Sequence, residues 1–133
     1  MTHTFVHSTE IAPQESERRP VPLTPRHTAG LVGMWEKEGR GRVGIEIFYT
    51  GRQRLDDNPY RNESRPYWIV GMLIERRVGP VRFFLNAENI TNIRQTRYDR
   101  LVRPNRHFDG RWTVDAWAPL EGRVINGGVR FSL

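Results

Sequence analysis

The sequence predicts an all-β chain: an antiparallel up-and-down transmembrane β-barrel segment of about six strands, an incomplete barrel. Three observations predict it. Segments of nearly equal length alternate apolar and polar residues with a period of two. The connections between them are alternately short and long. Helical periodicity is absent, and Gly and Pro are spread along the chain as punctuation.

Five segments carry the alternation: residues 27–37, 41–51, 66–76, 80–90 and 122–133. Each matches the ~9–11 residues that a tilted strand needs to cross a bilayer. A weaker sixth runs over residues 3–11, so residues 1–19 read as a weak first strand with part of a loop, and residues 20–133 as the main block. Tight turns are expected at Glu38-Gly39-Arg40 and Arg77-Val78-Gly79, and long loops over 12–26, 52–65 and 91–121. Bacterial outer-membrane barrels have short periplasmic turns and long extracellular loops. The asymmetry therefore predicts an outer-membrane location, with the C-terminus periplasmic and the long loops outside.

The two faces of the strands can be separated by parity. Ala29, Leu31, Gly33 and Trp35, then Val43, Ile45, Ile47 and Tyr49, then Trp68, Val70, Met72 and Ile74 are taken as lipid-facing. Val81, Phe83, Leu85 and Ala87, then Ile125, Val129, Phe131 and Leu133, complete the set, which holds no charge. Glu46, Arg82, Asn86, Glu88, Asn126 and Arg130 take the opposite parity, where a wet lumen solvates them, although Val32, Met34, Ile69 and Leu73 join them there. Trp35 and Phe131 fall near the periplasmic ends, and Tyr49 and Trp68 near the extracellular ends, as two aromatic belts at headgroup level.

Composition agrees. A hydrophobic content of 37% is low for a compact soluble core of 133 residues, but natural where every second strand residue faces a polar lumen. No cysteine is present, which removes disulfides and thiolate metal sites. His3, His7, His27 and His107 lie on separate segments and read as structural, so neither metal nor cofactor is expected. The 21 Lys and Arg residues, almost all Arg, against 15 Asp and Glu give a net charge of +6, which admits anionic lipid headgroups, an acidic ligand or nucleic acid as partner. No apolar run approaches the ~20 residues of a transmembrane helix. Residues 1–10 lack the features of a signal peptide, so the chain is expected to begin inside a longer one or to lack its natural start.

Candidate ligand contacts fall in the long loops. Residues 51–61 bring Arg52, Asp56, Asp57 and Tyr60; the alternative is a solvated loop built on turn-forming Asp, Asn and Pro. Residues 91–121 interleave bases and rings, with Arg97, Tyr98, Arg106 and Trp112 as candidates to grip an anionic ligand or glycolipid phosphate; the alternative is packing among loops. The adjacent Asp56 and Asp57 suit cation contact or a turn better than the separated acid and base of a glycosidase. No nucleophile motif, phosphate loop or dinucleotide fingerprint appears, and an enzyme is not expected.

Leu23-Thr24-Pro25-Arg26-His27-Thr28-Ala29-Gly30 entering a strand, and Tyr49-Thr50-Gly51-Arg52-Gln53 leaving one, resemble the late barrel strands of TonB-dependent outer-membrane receptors. So do Phe84-Leu85-Asn86-Ala87-Glu88-Asn89-Ile90-Thr91-Asn92 at the end of a penultimate strand and the closing Gly122-Arg123-Val124-Ile125-Asn126-Gly127-Gly128-Val129-Arg130-Phe131. The resemblance covers residues 20–133. It implies a barrel of about 22 strands, closed by a plug domain carrying the motif that TonB engages, for active uptake of a ferric siderophore, haem, cobalamin or an oligosaccharide. Neither the plug nor that motif is found in these residues. The implied partners are the remaining strands and plug of the receptor, TonB through the plug, the barrel-assembly machinery and outer-membrane lipids, with no nucleic acid. Two departures stand out: six strands do not close a barrel, and the last residue is Leu133 where the family usually ends in Phe. Two rivals remain: a passive or oligomeric porin-like channel, and a soluble basic β-domain that binds nucleic acid.

Overall fold

The computed structural model describes residues 1–11, 17–56 and 58–131. Its strands are β1 (Thr2–Phe5), β2 (Thr9–Ile11), β3 (Arg18–Pro20), β4 (His27–Lys37), β5 (Gly41–Thr50), β6 (Tyr67–Val78), β7 (Val81–Glu88) and β8 (Val124–Phe131). Apart from a 3₁₀ turn at Gln95–Arg97, the described residues form no helix. Six strands make one antiparallel sheet in the order β1-β4-β5-β6-β7-β8, and β2 and β3 pair separately. The chain is therefore all-β, and its main sheet is open, with β1 and β8 at its edges.

β4 occupies the residues expected of it, and β5 to β8 lie within two residues of their expected starts. The N-terminal segment differs. In place of one strand over 3–11, the chain breaks after Phe5; β1 stays on the edge of β4, while β2 leaves the sheet to pair with β3 inside the expected loop. The short β1 covers only His27 to Gly30 of β4, so the rest of that edge is free in the sheet. The second tight turn is also displaced. Val78 pairs with Val81, leaving Gly79-Pro80 as the two central residues. Gly79 has φ +60°, the positive angle that a type II′ hairpin turn requires at its first central position, and Pro80 fits the second.

Register unites the faces. Trp35 pairs with Val43, Val43 with Ile74, Ile74 with Leu85 and Leu85 with Gly127. A second row runs from Gly33 through Ile45, Met72 and Ala87 to Ile125. Because side chains alternate strictly along a strand, such rows place every apolar position of one parity on one continuous face. Tyr49 and Trp68 are partners at the loop end, with ring centroids 4.7 Å apart. Phe131 pairs with Val81 beside the opposite, turn end. Charges on this face gather at the turn end, where Lys37 opposes Gly41 and Arg76 opposes Phe83.

The other face packs large residues over glycines of the neighbouring strand. A Cβ on Gly30 or Gly128 would lie 3.2 or 2.8 Å from the rings of Phe48 and Phe84, and one on Gly71 would lie 2.5 Å from Oε1 of Glu46. Glu75 is held from both sides, by Arg42 at 3.4 Å and Arg82 at 3.1 Å. This face is consequently a mixture of rings and paired charge.

The sheet itself encloses almost no core. Of the buried apolar residues, Leu55, Ala87, Val114, Trp117 and Ala118, only Ala87 belongs to a strand. The packed interior lies past the loop end, where Leu55, Trp117 and Ala118 cluster against Tyr67 and Tyr98.

The β4–β5 connection places a strict demand on one residue. Gly41 has φ +147°, and a Cβ there would lie 2.1 Å from the backbone oxygen of Glu75 on β6. Gly39, at φ +70°, has open space around it. Gly39→Ala is expected to cost about 1 kcal/mol, the ordinary penalty of a left-handed non-glycine residue. Gly41→Ala must in addition separate β5 from β6, so its loss in a denaturant titration should be several times larger; equal losses would refute this account of the hairpin.

Candidate binding site at the loop end of the sheet

Two chain crossings build the platform of the site. The β5–β6 connection continues the same register beyond the strands: Ser64 N donates to Gln53 O at 2.9 Å, Leu55 N to Asn62 O at 2.9 Å, and Arg54 and Glu63 form a bridge. Residues 53–55 and 62–64 are thus a hairpin extension within what the sequence reads as one long loop. The long β7–β8 connection is closed at its neck by asparagines. Asn89 and Asn92 have φ +47° and +55°, left-handed values that Asn tolerates better than most side chains. Asn89 Oδ1 accepts from Ile93 N at 2.9 Å and its Nδ2 donates to Ile93 O at 2.7 Å and Glu121 O at 3.3 Å. Asn92 Oδ1 accepts from Arg123 N at 3.1 Å, and the Arg123 guanidinium donates to Ile90 O. Exit and return of the loop are tied within a few residues.

Beyond the neck, the loop folds on a buried polar network. Gln95, fully buried, accepts from Trp117 N at 2.8 Å and donates to Asp115 O at 3.0 Å. Asp99 is 6% exposed and accepts from Arg61 Nε at 2.9 Å and from Trp117 Nε1 at 3.1 Å. The Arg61 guanidinium also lies over the Trp117 ring, 5.4 Å from its centroid, and Arg65 lies over Tyr98 at 5.3 Å. Gln53 Nε2 donates to Trp117 O at 3.1 Å, which fastens the hairpin extension to the long loop. Every partner of the buried carboxylate is thus a donor, the condition under which a buried charge is tolerated.

A recess of about 1370 Å³ opens beside this platform. One wall is the N-terminal segment, held by Arg19, which bridges Glu10 at 3.1 Å and Asp56 at 2.7 Å, and by Leu23 N donating to Arg54 O at 2.9 Å. The other wall is the hairpin extension, and the tip of the long loop lies over the opening with His107, Phe108 and Arg111. In the tip, His107 Nδ1 is 2.6 Å from Asp109 Oδ1. The backbone N–H of Arg111 donates to the Asp109 carboxylate at 3.0 Å, and this bond, aided by His107, holds the Asp109 carboxyl below its usual range.

Of the expected contact residues, Arg52 and Asp56 line the recess. Tyr60 donates its hydroxyl to Val102 O, Arg97 donates to Asn92 O at 3.1 Å, and Arg106 to Gly110 O at 2.8 Å. Tyr98 packs on Trp117. These four side chains are engaged in loop structure. Trp112 is exposed. Asp57, and Leu133 of the apolar set, lie outside the described residues. Leu31, Trp35, Ile45, Trp68, Phe83, Leu85, Val129 and Phe131 are exposed on the apolar face, with Ile47, Tyr49 and Val70 half-buried on it. His7, His27 and His107, on separate segments of the sequence, all reach the recess, yet no group of three metal-ligating side chains forms among the described residues. Arg19, Arg26, Arg54 and Arg111 line it unforeseen, because the N-terminal segment, the hairpin extension and the loop tip, remote in sequence, meet only in the fold. Comparison with protein-family models, with curated proteins and with solved structures finds no match to this chain.

Asp99→Ala leaves the part-buried Arg61 and the Trp117 indole N–H without their acceptor and should destabilise the loop platform by about 2–3 kcal/mol. Limited trypsin digestion reads this: cleavage at Arg97, Arg100 and Arg106 should accelerate while the strands stay protected, and an unchanged digest would contradict the network. The tip has a separate pH signature. A lowered carboxyl pKa stabilises fully at pH well above the ordinary 3.8 and is lost as pH falls below it. Trp112 fluorescence should report loosening in that acid range, and Asp109→Asn should abolish the transition.

Proposed function

We propose that this chain forms the terminal strands of the barrel of a TonB-dependent outer-membrane receptor, which as a whole takes up a scarce ligand such as a ferric siderophore, haem, cobalamin or an oligosaccharide. The observation that carries the proposal is the continuous apolar face from β4 to β8, exposed together with a charged opposite face. In water an apolar patch of this extent demands a partner. In a bilayer it is the lipid-facing wall, with the polar face lining a wet lumen. β4, β5 and β6 have 11, 10 and 12 residues, lengths that span the hydrocarbon core at a barrel's tilt. The aromatic residues at both ends match two interfacial levels.

The open edges at β1 and β8 limit the role to a part. In lipid, each unsatisfied backbone group costs several kcal/mol, so the sheet needs further strands to complete its hydrogen bonding. These are the remaining strands of the receptor, with the plug and TonB acting from outside the present residues. The barrel-assembly machinery would insert the whole. No side chain of this segment does chemistry; it contributes wall, lumen lining and loops. The soluble-domain alternative is disfavoured because the buried apolar residues lie almost wholly in the loops, leaving the strands without a dry core.

Charge substitution on the two faces tests the membrane reading. Leu85→Arg, on the apolar face, should weaken partition into lipid vesicles by about 2–4 kcal/mol. Asn86→Arg, one residue away on the other face, should change it little; equal effects would rule the assignment out. The receptor reading is tested by uptake: deletion of the locus should abolish uptake of one ligand class in a TonB-dependent manner. Steady conductance of the complete protein in planar bilayers would instead identify a porin-like channel.

A further inference from the structure

We infer that Lys37 and Arg76 together hold the phosphate of a phospholipid headgroup at the turn end of the sheet, an inference that rests on the membrane reading of the apolar face. Register assigns the side. Lys37 pairs with Gly41, Gly41 with Arg76 and Arg76 with Phe83, so the four form one row across β4 to β7. Two residues further along the strands stand Trp35, Val43, Ile74 and Leu85, a row of the same parity on the apolar face. Both cations lie within strands, where alternation fixes the face, and neither assignment passes through a loop.

Charge assigns the ligand. Among the described strand residues of this parity from β4 to β8, Lys37 and Arg76 are the only Lys, Arg, Asp or Glu. Both are exposed, and neither side chain meets a hydrogen-bond or ion-pair partner among the described residues. On the opposite face Arg42 and Arg82 share Glu75, so cations there are matched from within the chain. The two on the apolar face take their anion from outside it. Gly41 stands between them without a side chain, and two strand spacings put their Cα atoms about 10 Å apart. Two long side chains can close over that gap on one group, a guanidinium fork from one side and an ammonium from the other, which suits a phosphate. Depth agrees. Arg76 lies eight residues beyond Trp68 on β6, about 27 Å along the strand and about 20 Å along the membrane normal at a barrel's tilt. The apolar band of such a wall is about 25 Å tall, so the long side chain carries the guanidinium from the edge of the band to the phosphates. Trp35, 63% exposed and two residues before Lys37, marks the same border.

The test measures partition of the full chain, by tryptophan fluorescence at physiological salt, into phosphatidylcholine vesicles with and without about one third phosphatidylglycerol. The parent should favour the anionic vesicles, and Lys37→Gln or Arg76→Gln should each reduce that preference about fivefold. Arg130→Gln removes the same charge at the same end but from the opposite face, and should change the preference by less than about twofold. The exchange Lys37→Arg with Arg76→Lys keeps both charges and should keep the preference. A loss in Arg130→Gln equal to that in Arg76→Gln, or an undiminished preference when both cations are replaced by Gln, would overturn the inference. So would abolition of the preference by millimolar inorganic phosphate, which identifies a site for soluble anions. In parallel, brominated acyl chains in the same vesicles should quench the tryptophan emission of the parent, and Trp35→Phe should lower the quenched fraction. Quenching with no dependence of partition on Lys37 and Arg76 defeats this inference alone, and absence of quenching defeats the membrane reading with it.

Discussion

Everything in this structure depends on an unbroken register across five strands. From β4 to β8, each hairpin pairs residues so that apolar positions meet apolar positions, and a slip of one residue at any turn would exchange the two faces of all strands beyond it. The turns enforce this. The Gly39 and Gly41 conformations fix the first hairpin, Gly79-Pro80 the second, and the Asn89 and Asn92 neck replaces a tight turn between β7 and β8. Positive-φ residues thus stand at each connection where register is decided, with Leu23 and Gly110 the others among the described residues.

The distribution of burial follows from the same arrangement. A soluble β-sheet covers its apolar face with a second layer. Here the packed interior is in the loops, organised by Asp99, Arg61, Gln95 and Trp117, while the sheet exposes both faces. Polar bonding rather than apolar mass defines that interior, and nearly every member makes contacts to two chain segments. Such a network is rigid when complete and costly when broken. It gives a fixed end to a sheet whose other stabilisation must come from its surroundings.

Much of the sheet was legible in the sequence because period-two alternation is local. Ile45, Ile47 and Tyr49 announce β5 without reference to any other residue, and the strand limits follow to within a turn. What could not be read were contacts between segments remote in sequence. Nothing around Gln95 or Asp99 signals that they meet residues of the 115–117 stretch and Arg61, and the break after Phe5 is invisible because His3 to Ile11 keeps an alternating pattern through it. The same limit applies to the recess. Arg52 and Asp56 were identifiable by composition, but Arg26 and Arg111 acquire their place only when two loops fold against each other. Tyr60, Arg97, Tyr98 and Arg106 have the chemistry of ligand contacts but are engaged in holding loops together.

The asparagine neck separates two tasks that a connecting segment ordinarily performs at once. Asn89, Asn92 and Arg123 fix the span from β7 to β8, so the residues beyond the neck carry no responsibility for strand spacing. Outside the Gln95, Asp99 and Trp117 network, their length and composition can diverge while the sheet remains the same. The outer stretch of the connection can thus be rewritten without renegotiating the sheet beneath it.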